Sequence, residues 1–262
     1  MNRSLPRRRV HIAKSLPRAV LVLIALAVAA LAPNRAGAAS FDADATINLS
    51  ITGFAHAGNG AGVSISAADI SPDTTQSMFG NATATPVVST TLHSANLNIL
   101  PALVAEMSAM ADGTAGLPPN SLANAGAPSG VELDIFNASA SLLTITFEVD
   151  YFIRAASSAT EPQSIAGADT DLVVSVIPDF GPVLEPVNVF VTTFDIDGLF
   201  PSTPVVLQAV ESIEVQVPAG EGVFFEVMTE ARGDAAVPEP AVLTMLCPLL
   251  GLLRRATRPS PR

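Results

Sequence analysis

The residue types that most often carry chemistry are sparse in this chain. It has 3 histidines and 1 cysteine, and only His56 and His93 lie beyond the basic amino-terminal segment. Neither lies in an H-E-x-x-H sequence, and the chain has no G-x-S-x-G elbow and no phosphate-cradling glycine loop. We interpret both histidines as structural residues at a turn and a strand end. The sequence does not predict an enzyme, although a triad assembled from distant residues would leave no trace in the sequence.

Pairs of aspartates separated by one residue are the features closest to a metal site. Alternating aspartates in a loop can offer hard oxygen ligands to calcium. Asp195 and Asp197 follow a predicted strand, and we take them as candidate calcium ligands. Similar pairs are Asp42 with Asp44 and Asp169 with Asp171. None of the pairs completes an EF-hand, so aspartates of ordinary turns are the alternative interpretation.

Paired carboxylates could also serve sugar hydrolysis. Glu148 and Asp150 would share one face of a strand, and so would Glu226 and Glu230, because alternate residues of a strand point the same way. Sugar sites usually add aromatic platforms, yet the chain has no tryptophan and 1 tyrosine. Its phenylalanines fall mostly at positions expected in the core. A carbohydrate-binding or carbohydrate-active secreted module is therefore kept as the alternative function.

The elements that position these residues are predicted to be strands. From Leu143 to Arg154 apolar side chains alternate with mostly polar ones, which is typical of a half-buried antiparallel strand. Residues 213–217 and 223–229 repeat the alternation around the turn residues 218–221, which predicts a hairpin. Further candidate strands are 46–52, 62–67, 87–92, 97–100, 131–136, 172–177, 187–194 and 205–210.

One stretch departs from this pattern. Leu103, Met107 and Met110 have helical spacing, which predicts a short helix over 102–111. The segment 113–130 is rich in Gly, Pro and Asn, and we expect a long loop there. Together the elements predict an all-β fold, an antiparallel β-sandwich of about ten short strands. An N-terminal signal helix and a short C-terminal apolar helix would flank it.

The first residues of the chain carry an export signal. A basic start precedes the apolar run 19–32, and Ala36, Ala38 and Ala39 then supply the small residues of a cleavage site. A membrane-spanning helix needs about 20 apolar residues, which is more than this run offers. We therefore predict a cleaved secretory signal peptide over 1–38, with cleavage after Ala38 or Ala39.

The last residues form a second signal with three parts. These parts are Val237, Pro238, Glu239 and Pro240, then the apolar stretch 241–253, then Arg254 and Arg255. The order resembles the sorting signal of bacterial PEP-CTERM proteins, a tail also catalogued as the ice-binding protein C-terminal domain. The resemblance covers residues 237–262 only. It implies that a membrane-embedded exosortase recognises Pro238, Glu239 and Pro240 and removes the tail, and that the protein works alongside exopolysaccharide machinery.

The physical properties of this tail agree with transient membrane association. At about 1.5 Å per residue, a helix over 241–253 is shorter than the roughly 30 Å hydrocarbon core of a bilayer. Arg254 and Arg255 would stay on the cytoplasmic side, where basic residues are enriched. A short segment that is weakly held in the membrane suits a temporary anchor that is later cleaved.

Removing both ends changes the charge of the protein. Between residues 39 and 236 only Arg154 and Arg232 are basic, and these two bases against 23 of the chain's 24 acids give a formal charge of −21. Such a surface repels phosphate backbones, so a nucleic-acid partner is excluded. Cys247, the only cysteine, lies in the tail, so the fold must hold without an internal disulfide.

These features predict three segments: a signal peptide over 1–38, an acidic β-sandwich domain over 39–236, and a sorting signal over 237–262. We expect an exported protein of the cell surface or extracellular matrix, transiently anchored in the inner membrane. Its expected role is structural or adhesive, in an exopolysaccharide-rich biofilm. The expected partners are the exosortase and exopolysaccharide, and calcium is the only cofactor considered.

Overall fold

The computed structural model describes residues 38–56, 62–116, 120–160, 164–196, 198–199 and 203–237. Within them every regular element is a β-strand. The eleven strands are β1 (Ala38–His56), β2 (Val63–Asp69), β3 (Thr75–Phe79), β4 (Ala82–Leu92), β5 (Ala102–Gly116), β6 (Ser121–Asn137), β7 (Leu143–Ala159), β8 (Ile165–Pro178), β9 (Leu184–Ile196), β10 (Val205–Val217) and β11 (Gly222–Val237). The predicted signal helix and C-terminal helix lie outside the described residues.

The strands form two antiparallel sheets. The first sheet has the order β10-β7-β1-β5-β4, and the second has the order β2-β6-β11-β8-β9, with β3 pairing farther along β6. The inward side chains of both sheets form one hydrophobic core, so the sheets are the two layers of a sandwich. The predicted all-β, antiparallel class is confirmed. The strands are longer than predicted, since β1 alone has 19 residues.

The strand predicted over 143–154 is confirmed. β7 buries its odd-numbered side chains and half-exposes most of the even-numbered ones, as the alternation indicated. The other candidate strands outside the hairpin coincide with parts of β1, β2, β4, β6, β8, β9 and β10, although Gly62 precedes β2 by one residue, and residues 97–100 lie in the turn before β5. Alternation therefore located most strands correctly.

The hairpin predicted over 213–229 is wrong. β10 pairs with β7 in the first sheet, whereas β11 pairs with β6 and β8 in the second, so the chain crosses between the sheets at 218–221. The Asn137 side-chain amide donates to the carbonyls of Val217 and Pro218 at 2.9 and 3.1 Å, which holds the crossing in place. Alternation predicts a strand and a turn, but it does not indicate which strand is the pairing partner.

The helix predicted over 102–111 and the loop predicted over 113–130 are also wrong. β5 covers the first segment, and β6 begins at Ser121 within the second. Leu103 and Met110, two residues of the predicted helix face, are 36% and 38% exposed, while the side chains buried in both strands are largely alanines. Alanine is a strong helix former with little apolar surface. An inward face built from it therefore gives a weak strand pattern.

The core changes in side-chain size along the strands. Near the start of β1 and the end of β11 the inward side chains are mainly Ala, Gly, Ser and Thr, and we call this part the small-residue half. Farther along, the inward side chains are mainly Ile, Leu, Val and Phe, and Phe147 stacks on Phe225 with ring centroids 4.1 Å apart. Phe41 is the large exception in the small-residue half, and it is buried.

Phe41 fits because two facing positions have no side chain. A Cβ atom at Gly113 would lie 2.5 Å from Phe41 Cζ, and a Cβ atom at Gly233 would overlap the ring. Gly113 pairs with Phe41 in the first sheet, and Gly233 belongs to the second. The ring therefore fills the space between the two layers.

We expect Gly233→Ala to destabilise the domain by about 1–3 kcal/mol, because the added methyl group would overlap the Phe41 ring. Adding Phe41→Leu to this variant should recover part of the loss. The control is Gly167→Ala on the outward face of β8, where the new Cβ would approach only the Asp234 carboxylate, at 3.2 Å, and the Phe194 ring, at 3.7 Å. Equal chemical-denaturation midpoints for the two alanine variants would contradict this packing.

Candidate functional site

A group of charged side chains occupies the outer face of the second sheet. Because the odd-numbered residues of β11 point into the core, Glu230, Arg232 and Asp234 point outward. On the neighbouring β8, Asp169 lies opposite Arg232 and Asp171 lies opposite Glu230. We call these five residues the Arg232 cluster.

Arg232 is the centre of this cluster. Its Nη2 atom lies 2.7 Å from Glu230 Oε2 and 3.4 Å from Asp171 Oδ2. Asp171 Oδ1 also accepts the backbone N–H of Glu230 at 3.0 Å. The hydrogen bond to Glu230 is the main reason why the pKa of Arg232 is raised. One base among four acids leaves the cluster negatively charged, so it attracts cations and repels anions.

Burial is the main influence on three carboxyl groups of the cluster. It raises the pKa of Asp169 and of Asp171, although the nearby Arg232 guanidinium acts in the opposite direction. Burial alone raises the pKa of Asp234. For Asp169 and Asp171, the loss of hydration therefore disfavours the charged carboxylate more than the attraction of Arg232 favours it.

Two exposed phenylalanines border the Arg232 cluster on β9. Phe190 lies opposite Asp171 and is 70% exposed, and Phe194 lies opposite Gly167 and is 53% exposed.

The expectation that phenylalanines lie mostly in the core is wrong, since six of them are exposed. β9 is an edge strand with apolar side chains at both odd and even positions. Alternation therefore gave no signal for which face of β9 points inward.

The other basic residue of the domain has similar surroundings. Arg154 lies on the outer face of the first sheet, with its Nη1 atom 2.6 Å from Asp42 Oδ2 and 2.9 Å from Asp44 Oδ2. The hydrogen bonds to Asp44 and Asp42 raise the pKa of Arg154. Two of the three aspartate pairs noted in the sequence therefore surround an arginine.

The third aspartate pair contains the candidate calcium ligands. Asp195 is 1% exposed, and its Oδ2 atom accepts the backbone N–H of Ala159 at 2.8 Å, which ties β9 to the end of β7. Asp197 lies outside the described residues. Among the residues that the structure describes, no three His, Cys, Asp or Glu side chains are grouped to hold a metal ion. Calcium binding by Asp195 and Asp197 stays a prediction.

The carboxylate pairs considered for sugar hydrolysis lie on the outer faces of the sheets. Glu148 and Asp150 both point outward on β7. Glu226 lies opposite Glu132 on β6. Its pKa is raised mainly by burial and, to a smaller extent, by the negative charge of Glu132. Three surface cavities of about 300 to 380 Å³ open elsewhere, and Glu214 is the one carboxylate among the residues that line them.

Both histidines lie at strand ends. His56 ends β1, and its Nε2 atom is 2.7 Å from Ser139 Oγ, while the Ser139 hydroxyl donates to Asn137 Oδ1 at 2.6 Å. His93 follows β4, and its Nε2 atom is 3.1 Å from Glu106 Oε2. Each histidine therefore contacts polar groups of a neighbouring segment.

The described domain reaches both predicted processing regions. β1 begins at Ala38, and Ala39 is fully buried where β1 pairs with β5 and β7. β11 ends at Val237, whose carbonyl accepts the Asn120 N–H at 2.8 Å. The other predicted signal residues, Ala36, Pro238, Glu239, Pro240, Arg254 and Arg255, lie outside the described residues.

Comparisons with known protein families, with curated proteins and with solved structures find no match for this chain. Among the described residues, no helix is long and apolar enough to cross a membrane. A function must therefore follow from the fold, the distribution of charge and the two chain ends.

We expect the domain to lose stability as the pH rises from about 4 towards neutrality. Asp169, Asp171 and Asp234 have a pKa raised above the ordinary 3.8 of an aspartate. Above that ordinary value, the folded chain therefore binds more protons than the unfolded chain. The free energy of unfolding must fall as the pH rises through this range. Thermal unfolding followed by circular dichroism measures the effect.

Asp234→Asn separates the Arg232 cluster from the overall charge. It removes one of the three carboxyl groups, so it should raise the Tm at neutral pH and flatten its pH dependence. Asp73→Asn removes the same charge from an exposed turn between β2 and β3. The same pH dependence in both variants would show that the cluster is not responsible.

Proposed function

We propose that this chain is an exported protein of the cell surface or extracellular matrix, sorted by a PEP-CTERM/exosortase system. Its role in the exopolysaccharide-rich matrix is structural or adhesive. One observation carries the proposal: the folded domain lies between the two predicted signals. The described strands begin at Ala38 and end at Val237, so removal of both signals would shorten the sheets only by one or two residues at the start of β1 and by Val237 at the end of β11.

Both signals also leave the domain from one end of the sandwich. Ala38 pairs with Gly116, the last residue of β5, and Val237 pairs with Ser121, the first residue of β6. Only residues 117–120 separate Gly116 from Ser121 in the chain, so the two pairs are close together. We call this the terminal end. A membrane anchor at either terminus would leave the opposite end of the sandwich free to meet the matrix.

The charges of the domain support a passive role in the matrix. Two arginines against 23 acids leave residues 39–236 at −21, and Arg154 and Arg232 are both ion-paired already. A surface of this kind stays solvated and repels copies of itself. Contact with an acidic polysaccharide would then need divalent cations as bridges.

Carbohydrate binding at the Arg232 cluster is a second candidate function, favoured by the exposure of Phe190 and Phe194. Aromatic rings pack against the apolar faces of sugar rings, while neighbouring carboxylates and a guanidinium can hydrogen-bond to hydroxyl groups. The cluster lies on the outer face of a sheet and lines none of the three cavities. We therefore propose binding of a polysaccharide chain at this face and not its hydrolysis.

We expect the mature protein from its native host to lack both ends. Replacing Pro238, Glu239 and Pro240 by alanine should leave the chain in the membrane at a higher mass, because the apolar stretch 241–253 would no longer be cut away. Intact-mass measurement of the membrane and extracellular fractions checks this expectation. Glu185→Ala with Pro186→Ala changes the same residue types within β9 and is the matched control. A wild-type mature protein that still ends at Arg262 would contradict sorting.

We expect Phe190→Ala with Phe194→Ala to reduce cosedimentation of the protein with exopolysaccharide from its host, because the aromatic contact surface is lost. Phe180→Ala is the matched control, since Phe180 is 78% exposed in the turn after β8, away from the Arg232 cluster. If the double variant and the control cosediment equally, the second candidate function is wrong.

A further inference from the structure

The last outward-facing residues of the second sheet at the terminal end are all apolar. They come from five adjacent strands and lie beside one another in the pairing register, and we call them the terminal row: Phe79 of β3, Leu122 of β6, Ala236 of β11, Ile165 of β8 and Ile196 of β9. Phe79 is 66% exposed and Leu122 is 43% exposed. Four residues of the row line a surface cavity of about 380 Å³.

The terminal end carries no exposed charge among the residues that the structure describes. Asp195 is buried there, and the nearest exposed carboxylate on β11 is Asp234, two residues before Ala236. Glu161 and Asp197 fall in connections outside the described residues. The domain has a formal charge of −21, but an apolar partner can contact this end without also contacting carboxylates. Phe79 and Leu122 are exposed and the other three residues of the row are half-buried, and a contiguous apolar patch of this kind marks a contact surface.

The chain itself indicates what this surface meets. Val237 lines the same cavity as Phe79 and Leu122, and the apolar stretch 241–253 begins four residues farther on. Four residues of extended chain span at most about 13 Å. When the tail is inserted in a bilayer, Val237 and its neighbour Ala236 in the terminal row therefore lie within about that distance of the lipid, and the rest of the row extends from Ala236 across the adjacent strands.

We propose that the terminal row is a lipid-contact surface, which seats the sandwich end-on against the bilayer while the C-terminal tail is still attached. The inference rests on the proposed function, because the inserted tail brings the bilayer to the row. Apolar side chains partition into the membrane interface without help from basic residues, although the attraction is weaker. Seated in this way, the domain holds residues 238–240 at the membrane surface, within reach of a membrane-embedded processing enzyme.

Quenching by brominated lipid tests the proposal. The full chain carrying Cys247→Ser is reconstituted in phosphatidylcholine vesicles with one fluorophore, attached through Asn81→Cys beside Phe79 or through Phe180→Cys at the opposite end. We expect brominated lipid to quench the label at position 81 and not the label at 180. Phe79→Ser with Leu122→Ser should remove most of the quenching at 81. Both side chains are exposed, so this double variant should keep the wild-type Tm.

The outcomes separate this inference from the proposed function. If the chain does not bind vesicles at all, tail anchoring fails and the lipid contact fails with it. If the chain binds but Phe79→Ser with Leu122→Ser leaves the quenching at 81 unchanged, anchoring stands and the lipid contact is overturned. Energy transfer between copies labelled at 81 that is lost in the same variant would show that a second copy covers the row, which also overturns the proposal. Phe180→Ser is the matched control and should change neither signal.

Discussion

The distance between the two sheets depends on the size of the side chains that point inward from each sheet. In the small-residue half, Ala, Gly, Ser and Thr fill the space, and one aromatic ring, Phe41, enters because Gly113 and Gly233 leave room for it. Side chains in such a layer have little freedom to move aside, since protein interiors are close-packed. The part of the sandwich from which both termini leave is therefore the part least able to accept larger residues. This constraint fixes where β1 and β11 lie relative to each other.

The sequence predicted the class of the fold better than its connections. Strands with large inward side chains, such as β7, were found because apolar and polar residues alternate clearly. β5 and the first half of β6 were missed because their inward faces are largely alanine, a strong helix former with little apolar surface. The crossing at 218–221 was taken for a hairpin, because local pattern is the same whether a strand pairs with its neighbour or faces it across the core. Pairing between distant strands follows from the packing of the whole chain.

The candidate site could be predicted only in parts. Asp169 and Asp171 stood out as a pair, and Arg232 stood out as one of two basic residues, but nothing in the sequence places β8 beside β11. The partners of Phe190 and Phe194 were hidden for the same reason. Asp195 shows the opposite case, since a residue noted for its charge turns out to be buried and to accept the Ala159 N–H. The residue type indicates which interactions a side chain can make, and the pairing register of the strands determines which neighbours it contacts.

The scarcity of basic residues affects how the domain withstands proteolysis. Enzymes with the specificity of trypsin cut after lysine or arginine and need several residues of unfolded, exposed chain, which loops and termini supply. Residues 39–236 contain no lysine, and Arg154 and Arg232 lie within β7 and β11, which have partner strands on both sides. Residues 1–38 and 238–262 hold all the other basic residues. Such proteases would cut within the two terminal segments and leave the sandwich whole.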